Sequence, residues 1–133
     1  MGIYKSDYDY NITINKLKAN FVNSCFELEL LWLVEILVLK MFLYLKDNSP
    51  NKLHRAPNGD YLFKQSSVFK VLQDFDLNTD VVSTLVLYRN KFVHVGYLDA
   101  KTIADDLIEN NMFDLIAIAH FIGVNLNFNK RLI

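Results

Sequence analysis

Three polar side chains suited to phosphate binding and proton transfer stand close together near the end of an apolar segment. They are Arg89, Asn90 and His94, within the stretch from Leu85 to Tyr97. A guanidinium binds phosphate through parallel hydrogen bonds, and an imidazole gains or loses a proton near neutral pH. Phosphodiester transfer needs a base, an acid and positive charge on the phosphate. No other stretch of the sequence offers a comparable set.

Helical geometry predicts that these three side chains share one side of a helix. At about 100° per residue they fall within about 140° of arc, flanked by Val86 and Val93. The opposite side is apolar and suits a core; it carries Val81, Leu85, Tyr88 and Phe92. Gly96 is predicted to end the helix in the left-handed conformation. His94 is then expected in the last turn, where the helix dipole favours an imidazolium.

The pattern Arg-Asn-x-x-x-His at the end of an apolar helix resembles the signature of the HEPN superfamily (higher eukaryote and prokaryote nucleotide-binding domains). That signature is an Arg, a polar residue directly after it and a His a few residues on. Arg89, Asn90 and His94 match it position by position. The resemblance implies a small α-helical bundle that dimerises so that two such motifs face each other. It also implies a metal-independent ribonuclease of a toxin, abortive-infection or CRISPR system, in a superfamily that includes inactive adaptors.

The resemblance also implies how the residues divide the chemistry. One helix end supplies too few groups, whereas two copies about a two-fold axis supply two imidazoles and two guanidiniums. His94 is the candidate acid or base, Arg89 the phosphate ligand, and Asn90 a group that orients the imidazole or binds RNA. The implied products are 2′,3′-cyclic phosphate and 5′-hydroxyl ends. No metal or cofactor is implied, and an antitoxin or a nucleotidyltransferase is a possible partner.

A structural alternative stays open for the same residues. Arg89 can pair with a neighbouring carboxylate, and His94 can bond the free carbonyls at its own helix end. The chain would then be a non-catalytic helical adaptor or nucleotide-binding module. A toxin branch of the superfamily carries His-x-Tyr with a modified Tyr, but here Tyr97 stands one residue further from His94. We therefore predict a packing role for Tyr97.

Composition and charge predict a single folded domain in a reducing compartment. The chain has 133 residues, of which 52% are hydrophobic and 22% charged, so disorder is not expected. The net charge of −1 argues against a binder of duplex DNA, and argues less against a nuclease with a local basic cleft. The lone cysteine, Cys25, fits a cytoplasmic protein and is predicted as a small core residue. No metal-ligand spacing or Gly-rich phosphate loop is present.

The longest uninterrupted pattern runs from about Lys16 to Lys46 without Gly or Pro. Its length raises the possibility of a membrane span, but Glu29, Glu35 and Lys40 interrupt it. Each charge near the middle of a bilayer costs about 2.5–3.5 kcal/mol. We therefore predict one long central helix of a bundle, apolar nearly all round.

The remaining pattern predicts an all-α bundle of about four or five helices. Residues 1–15 suit a short helix or an arm, and 47–60 a loop with a turn at Asn58-Gly59. We expect one helix from Ser66 or Ser67 to Phe75 and another that begins at Asn78–Asp80. A further helix is expected from an Asp99 cap to Asn110-Asn111, and the last over Met112–Ile122 before Gly123. The tail over 124–128 alternates in polarity, so a short strand is possible.

Two other groups of residues have both a chemical and a structural interpretation. His120 lies between Ile118 and Phe121 and is predicted as a buried core histidine rather than a catalytic group. The loop containing Lys52, His54 and Arg55 is basic. It can contact RNA, or it can be a solvated connector, which is the interpretation we favour.

Overall fold

The apolar run of the sequence forms a central helix, α2 (Phe26–Asn48), in a computed structural model that describes residues 3–4, 9–62, 69 and 71–132. Four further α-helices lie within the described residues: α1 (Tyr10–Ala19), α3 (Thr79–His94), α4 (Tyr97–Asn110) and α5 (Met112–Ile122). Strands β1 (Ile3–Tyr4), β2 (His54–Arg55) and β3 (Tyr61–Leu62) form a small antiparallel sheet in the order β1-β3-β2. The architecture confirms the predicted all-α bundle.

Helix α2 is apolar nearly all round, and other helices cover it on several sides. It packs against α1, α3 and α5, whereas α4 packs mainly on α3 and also meets α5. The fully buried side chains of α2 include Phe26, Leu30, Leu33, Ile36, Leu37, Phe42 and Leu45. A helix with apolar residues on every face is expected inside a bundle. The predicted central position of this helix is therefore confirmed.

The predicted single helix from Lys16 to Lys46 is wrong at its N-terminal end. The chain instead forms α1, a 3-10 turn at Asn20–Asn23, and then α2. The hydroxyl of Ser24 donates to the carbonyl of Asn20, and such local bonds compete with a continuous helix. Cys25, predicted as a core residue, is half-buried at the N-cap of α2. The break lets α1 fold back, so that the rings of Tyr10 and Phe42 meet at 5.0 Å.

Other helix boundaries follow local signals in the sequence. The side chain of Asn78 accepts from the backbone N–H groups of Asp80 and Val81 and caps α3, as predicted. Asn111 separates α4 from α5, and Gly123 ends α5 in the left-handed conformation at φ +80°. Phe69, Val71 and Leu72 are helical, and Gln73–Phe75 forms a 3-10 turn. Ser66 and Ser67, the predicted caps of this segment, lie outside the described residues.

The connection between α3 and α4 differs from the prediction. Gly96 has φ +132° and ψ 168°, which is an extended conformation with positive φ rather than the left-handed helical one. Helix α4 begins directly afterwards at Tyr97, so Asp99 lies in its first turn instead of capping it. A positive φ is accessible to glycine at little cost. Gly96 thus allows two helices to follow each other with almost no loop.

The first turn of α2 contains a buried carboxylate that binds the C-terminal tail. Glu27 is fully buried, and its side chain accepts from Nε of Arg131 and from the backbone N–H of Leu132. Nη2 of Arg131 donates to Oδ1 of Asp105 on α4 at 2.6 Å. The backbone N–H of Phe26 also donates to the backbone carbonyl of Lys130 at 2.7 Å. A buried charge needs such partners, so the tail is a structural component of the bundle.

A second buried carboxylate, Glu29, lies two residues further along α2 and binds the same tail. Its Oε1 accepts from the backbone N–H of Asn127 at 2.7 Å, whereas Oε2 is buried without a partner among the described residues. Burial, the dominant effect, raises the pKa of Glu29, although the bond from Asn127 opposes the shift. The tail over 124–128, predicted as a possible strand, has no regular structure. The backbone N–H groups of Asn127 and Leu132 bond the carboxylates of α2 rather than a neighbouring strand.

We expect Glu27→Gln to destabilise the fold. The substitution removes the charge that faces Arg131 and leaves that guanidinium with Asp105 as its acidic partner, at a cost of about 1–3 kcal/mol. Chemical denaturation monitored by circular dichroism measures this loss as a lower midpoint. An unchanged midpoint would contradict the role of Glu27 in holding the tail.

Glu29→Gln is the matched control and has the opposite expected effect at neutral pH. Because the pKa of Glu29 is raised in the folded chain, its free energy contribution to folding decreases as pH rises from the ordinary pKa through the raised one. The amide keeps an oxygen for the N–H of Asn127 but does not titrate. The variant should be at least as stable as the wild type at about pH 7, with a flatter stability profile down to about pH 4. A steeper profile would contradict the burial of a titrating carboxyl.

Candidate active site

Helix α3 carries the motif, and its buried side fixes which residues face outward. Val81, Leu85 and Tyr88 are buried and Phe92 is half-buried, as the sequence predicts. The hydroxyl of Tyr88 donates to the backbone carbonyl of Glu27 at 2.8 Å. Burial raises the pKa of Tyr88 far above its usual value, with a smaller contribution from the charge of Glu27. Tyr88 is therefore a neutral donor that fixes the rotation of α3 against α2.

Arg89 lies at the seam between α3 and α2 and is held by two side chains. Its Nε donates to Oε1 of Glu35 at 2.9 Å, and its Nη1 donates to Oδ1 of Asn90 at 3.1 Å. The side chains of Arg89 and Glu35 are 36% and 43% exposed, respectively, so the pair is open to solvent. No described residue bonds Nη2. The guanidinium is thus fixed on one edge and keeps donors on the other.

Glu35 is the site residue that sequence reasoning did not assign. It interrupts the apolar run of α2, but it does not share the narrow helix face that Glu29 and Lys40 occupy. An isolated charge away from the polar face of a helix needs a partner from another element. The isolated position of Glu35 in the sequence indicated that it has a partner on another element. It did not identify Arg89 as that partner.

His94 is the last residue of α3, and its side chain is exposed. The backbone N–H groups of Val95 and Gly96 both donate to the carbonyl of Lys91 and close the helix end. No described residue hydrogen-bonds the imidazole of His94. The proposed alternative, in which this ring bonds the carbonyls of its own helix end, is not observed. The ring is accessible to a substrate or to a second subunit.

The structure brings two of the three motif residues together and leaves the third apart. Arg89 and Asn90 share a hydrogen bond, whereas His94 bonds neither of them. His94 is five positions after Arg89, which places it about 7.5 Å further along the helix axis and about 140° around it. One copy of the chain therefore presents a guanidinium and an imidazole at neighbouring positions, but not a closed site.

Exposed apolar side chains surround the motif. Val93 is 53% exposed, and Val86, the other predicted flanking residue, is half-buried. Further exposed apolar side chains lie at Leu87, Val95 and Leu98. Large exposed apolar surfaces on a folded protein commonly meet a partner. We call Leu87, Val93, Val95 and Leu98 the motif surface.

Tyr97 has the packing environment that the sequence predicts. Its ring lies 5.7 Å from that of Phe92, and its hydroxyl is buried with no hydrogen-bond partner among the described residues. An enzyme that modifies tyrosine must reach the hydroxyl oxygen. In this conformation the oxygen is buried. Tyr97 therefore differs from the modified tyrosine of the His-x-Tyr toxin pattern in accessibility as well as in spacing.

His120, predicted as a buried core histidine, is instead exposed on α5. The buried positions of α5 are Leu115, Ile118, Ala119 and Ile122, so the core-facing side of the helix lies roughly opposite His120. Apolar neighbours in the sequence were therefore a misleading signal. Phe121 is half-buried and packs on the ring of Phe75 at 5.1 Å.

The basic loop uses its arginine within its own hairpin. Nη2 of Arg55 donates to the hydroxyl of Tyr61 at 2.7 Å, and Nη1 donates to the carbonyl of Gly59 at 3.2 Å. The guanidinium also lies over the Tyr61 ring, at 4.4 Å from its centroid. These contacts favour the connector interpretation of this loop.

Comparison with models of known protein families, with curated proteins and with solved structures finds no match to this chain. Within the described part of the chain, no helix combines the length and hydrophobicity needed to cross a bilayer. The same residues contain no group of three His, Cys, Asp or Glu side chains placed to hold a metal ion. The motif geometry is therefore the observation from which a function can be proposed.

We expect Glu35→Gln to change stability little and Tyr88→Phe to change it more. A half-exposed ion pair contributes about 0–1 kcal/mol, whereas loss of a buried hydrogen bond costs about 0.5–1.5 kcal/mol. Urea denaturation of both variants measures the difference. A larger loss for Glu35→Gln would mean that the Arg89 pair is a main structural bond of the bundle.

Proposed function

We propose that this chain is a metal-independent endoribonuclease that acts as a homodimer with a composite Arg/His site. The resemblance of Arg89, Asn90 and His94 to the HEPN signature suggests the activity. The observation that supports it is the outward end of α3, where the guanidinium of Arg89 is held on one edge and an accessible imidazole follows five positions later on the same helix. The all-α bundle fits the same superfamily.

In this proposal two copies meet through the motif surface and place two motifs in one crevice. One imidazole of His94 removes the proton from a ribose 2′-hydroxyl, and the oxygen attacks the adjacent phosphorus. The bond from phosphorus to the 5′-oxygen breaks, and the second imidazole gives that oxygen a proton. The products are a 2′,3′-cyclic phosphate and a 5′-hydroxyl, and no metal is needed for this balance of protons.

The contacts of Arg89 suit a phosphate ligand. A guanidinium has five N–H donors, of which Nε–H is used by Glu35 and one Nη1–H by Asn90. The remaining donors include those of Nη2, which can bind phosphate oxygens as charge develops. Glu35 orients the guanidinium, and its carboxylate partly offsets the positive charge that a bound phosphate would meet. Asn90 has an amide nitrogen left to donate to RNA.

The biological setting belongs to the same proposal. We place the enzyme in a toxin–antitoxin or anti-phage defence system in the cytoplasm, where the free thiol of Cys25 suits a reducing environment. An antitoxin or a nucleotidyltransferase is the partner that the resemblance suggests. The net charge of −1 favours an RNA bound at a local site over one bound along an extended basic surface.

One contact favours a second candidate function. The pairing of Arg89 with Glu35 is the arrangement expected if the arginine is structural. The chain would then be a non-catalytic helical adaptor or nucleotide-binding module that uses the same apolar motif surface. The two candidates differ in whether RNA is cut.

We expect His94→Ala to lower the rate of RNA cleavage by about 10²–10⁴ without changing the fold, because a general acid or base contributes a factor of that size. Single-turnover cleavage of a labelled RNA, with EDTA present, measures the rate. His120→Ala is the matched control, since His120 is also exposed but lies on α5. If His94→Ala and His120→Ala cut RNA equally, His94 is not catalytic; if purified wild type cuts nothing, the adaptor is supported.

We expect Val93→Glu to weaken both dimerisation and cleavage, because a charge in the motif surface opposes burial against a second copy. Val22→Glu is the control, since Val22 is 78% exposed on the turn before α2. Sedimentation over a range of protein concentrations measures the dimer. A monomeric wild type with full activity would overturn the composite site.

A further inference from the structure

The outward side of α5 carries large apolar side chains as well as a histidine. Phe113, Ile116, Ala117 and His120 follow one another at i, i+3, i+4 and i+7 and are exposed, with Phe113 88% exposed. A helix that is hydrophobic all round is typical of a position covered on every side. The described part of the chain covers α5 on one side. We call these four residues the α5 stripe.

A groove continues the α5 stripe towards the C-terminal tail. It has a volume of about 280 Å³ and is lined by Ile116 and His120 of α5 and by Val124, Leu126 and Phe128 of the tail, among others. Ligand sites commonly measure about 300–1,000 Å³, so this groove suits one inserted side chain better than a cofactor. A projecting partner residue can fill it while other residues cover Phe113.

Unpaired acidic side chains surround the end of the stripe that carries Phe113. Between Thr102 and Asn129 the sequence contains four acidic residues and no Lys or Arg. Asp105 pairs with Lys101 and Arg131, whereas no described residue forms an ion pair with Asp106, Glu109 or Asp114. Asp106 and Glu109 lie near the C-terminal end of α4, where the helix dipole already concentrates negative charge.

Two lysines lie at the opposite end of α5, away from these carboxylates. Nζ of Lys40 donates to the carbonyl of Phe121 at 3.4 Å, and Nζ of Lys18 lies beside Gly123. Burial, followed by the charge of Lys18, lowers the pKa of Lys40. The ammonium group of Lys40 therefore bonds the carbonyl end of α5, and that of Lys18 lies close to the same end. A second copy of the chain would bring its own acidic α4 end to the contact, and like charges there oppose association.

We infer that the α5 stripe and its groove dock an amphipathic helix of another protein, whose Lys or Arg residues face Asp106, Glu109 and Asp114. Amphipathic helices bind such grooves through anchors at i, i+3, i+4 and i+7. The apolar side of the partner covers Phe113 and fills the groove, and its cations neutralise the C-terminal end of α4. This inference does not use Arg89, Asn90 or His94, so it stands or fails independently of the ribonuclease.

The test uses the full chain and two synthetic peptides of about 18 residues, long enough to form a helix on binding. One peptide carries leucine on one face and lysine on the other; its twin has glutamate in place of lysine. Fluorescence anisotropy should show that the lysine peptide binds and the glutamate peptide does not. Phe113→Gln should weaken binding at least about tenfold, as expected for a central anchor. Glu109→Gln should weaken it less and reduce its dependence on salt.

Two controls separate docking from unfolding and from self-association. Ile12→Gln replaces an exposed apolar residue on α1 and should leave peptide binding unchanged. Thermal unfolding of Phe113→Gln should match the wild type, since that side chain buries almost nothing. Equal binding of both peptides, or no effect of Phe113→Gln, overturns the inference. It is also overturned if the peptide-free chain self-associates and Phe113→Gln abolishes that association, because the occupant is then a second copy.

Discussion

Two carboxylates buried in the first turn of the central helix require partners, and this requirement organises the rest of the bundle. Glu27 and Glu29 are fully buried, and a buried charge without partners is strongly destabilising. The tail supplies Arg131 and backbone N–H groups, and Arg131 continues to Asp105 on α4. The same turn of α2 offers the carbonyl of Glu27 to Tyr88 on α3. One helical turn thus fixes the tail and α4 through side chains, and α3 through its backbone.

The arrangement divides the candidate site into a fixed part and an accessible part. Tyr88 holds α3 in one rotation, so the next residue, Arg89, lies at the seam with α2 and meets Glu35. His94 lies beyond that seam at the end of the helix, with an exposed side chain. A preorganised guanidinium and an adaptable imidazole suit a site that two copies complete. The same separation explains why one copy presents the groups without joining them.

Most of the exposed large hydrophobic side chains lie on two different outer surfaces. The first surrounds the motif at the α3–α4 corner, with Leu98 77% exposed, and the second is the α5 stripe, which begins at Phe113. They differ in charge, because Lys91 and His94 accompany the first while Asp106 and Glu109 accompany the second. Surfaces of different charge favour different partners. The two proposed contacts, with a second copy of the chain and with a basic helix, therefore use separate surfaces.

Local signals in the sequence determined most helix boundaries and the apolar back of α3. Asn78 and Gly123 act on neighbouring backbone groups, so their effects can be recognised without the fold. Tertiary structure alone decided that Glu35 pairs with Arg89, since the partners lie 54 residues apart in sequence. It also decided that His120 faces solvent, because the side of α5 that is buried depends on how α2 packs against it. Periodicity shows that a helix has an apolar surface, but long-range packing selects which part of that surface becomes core.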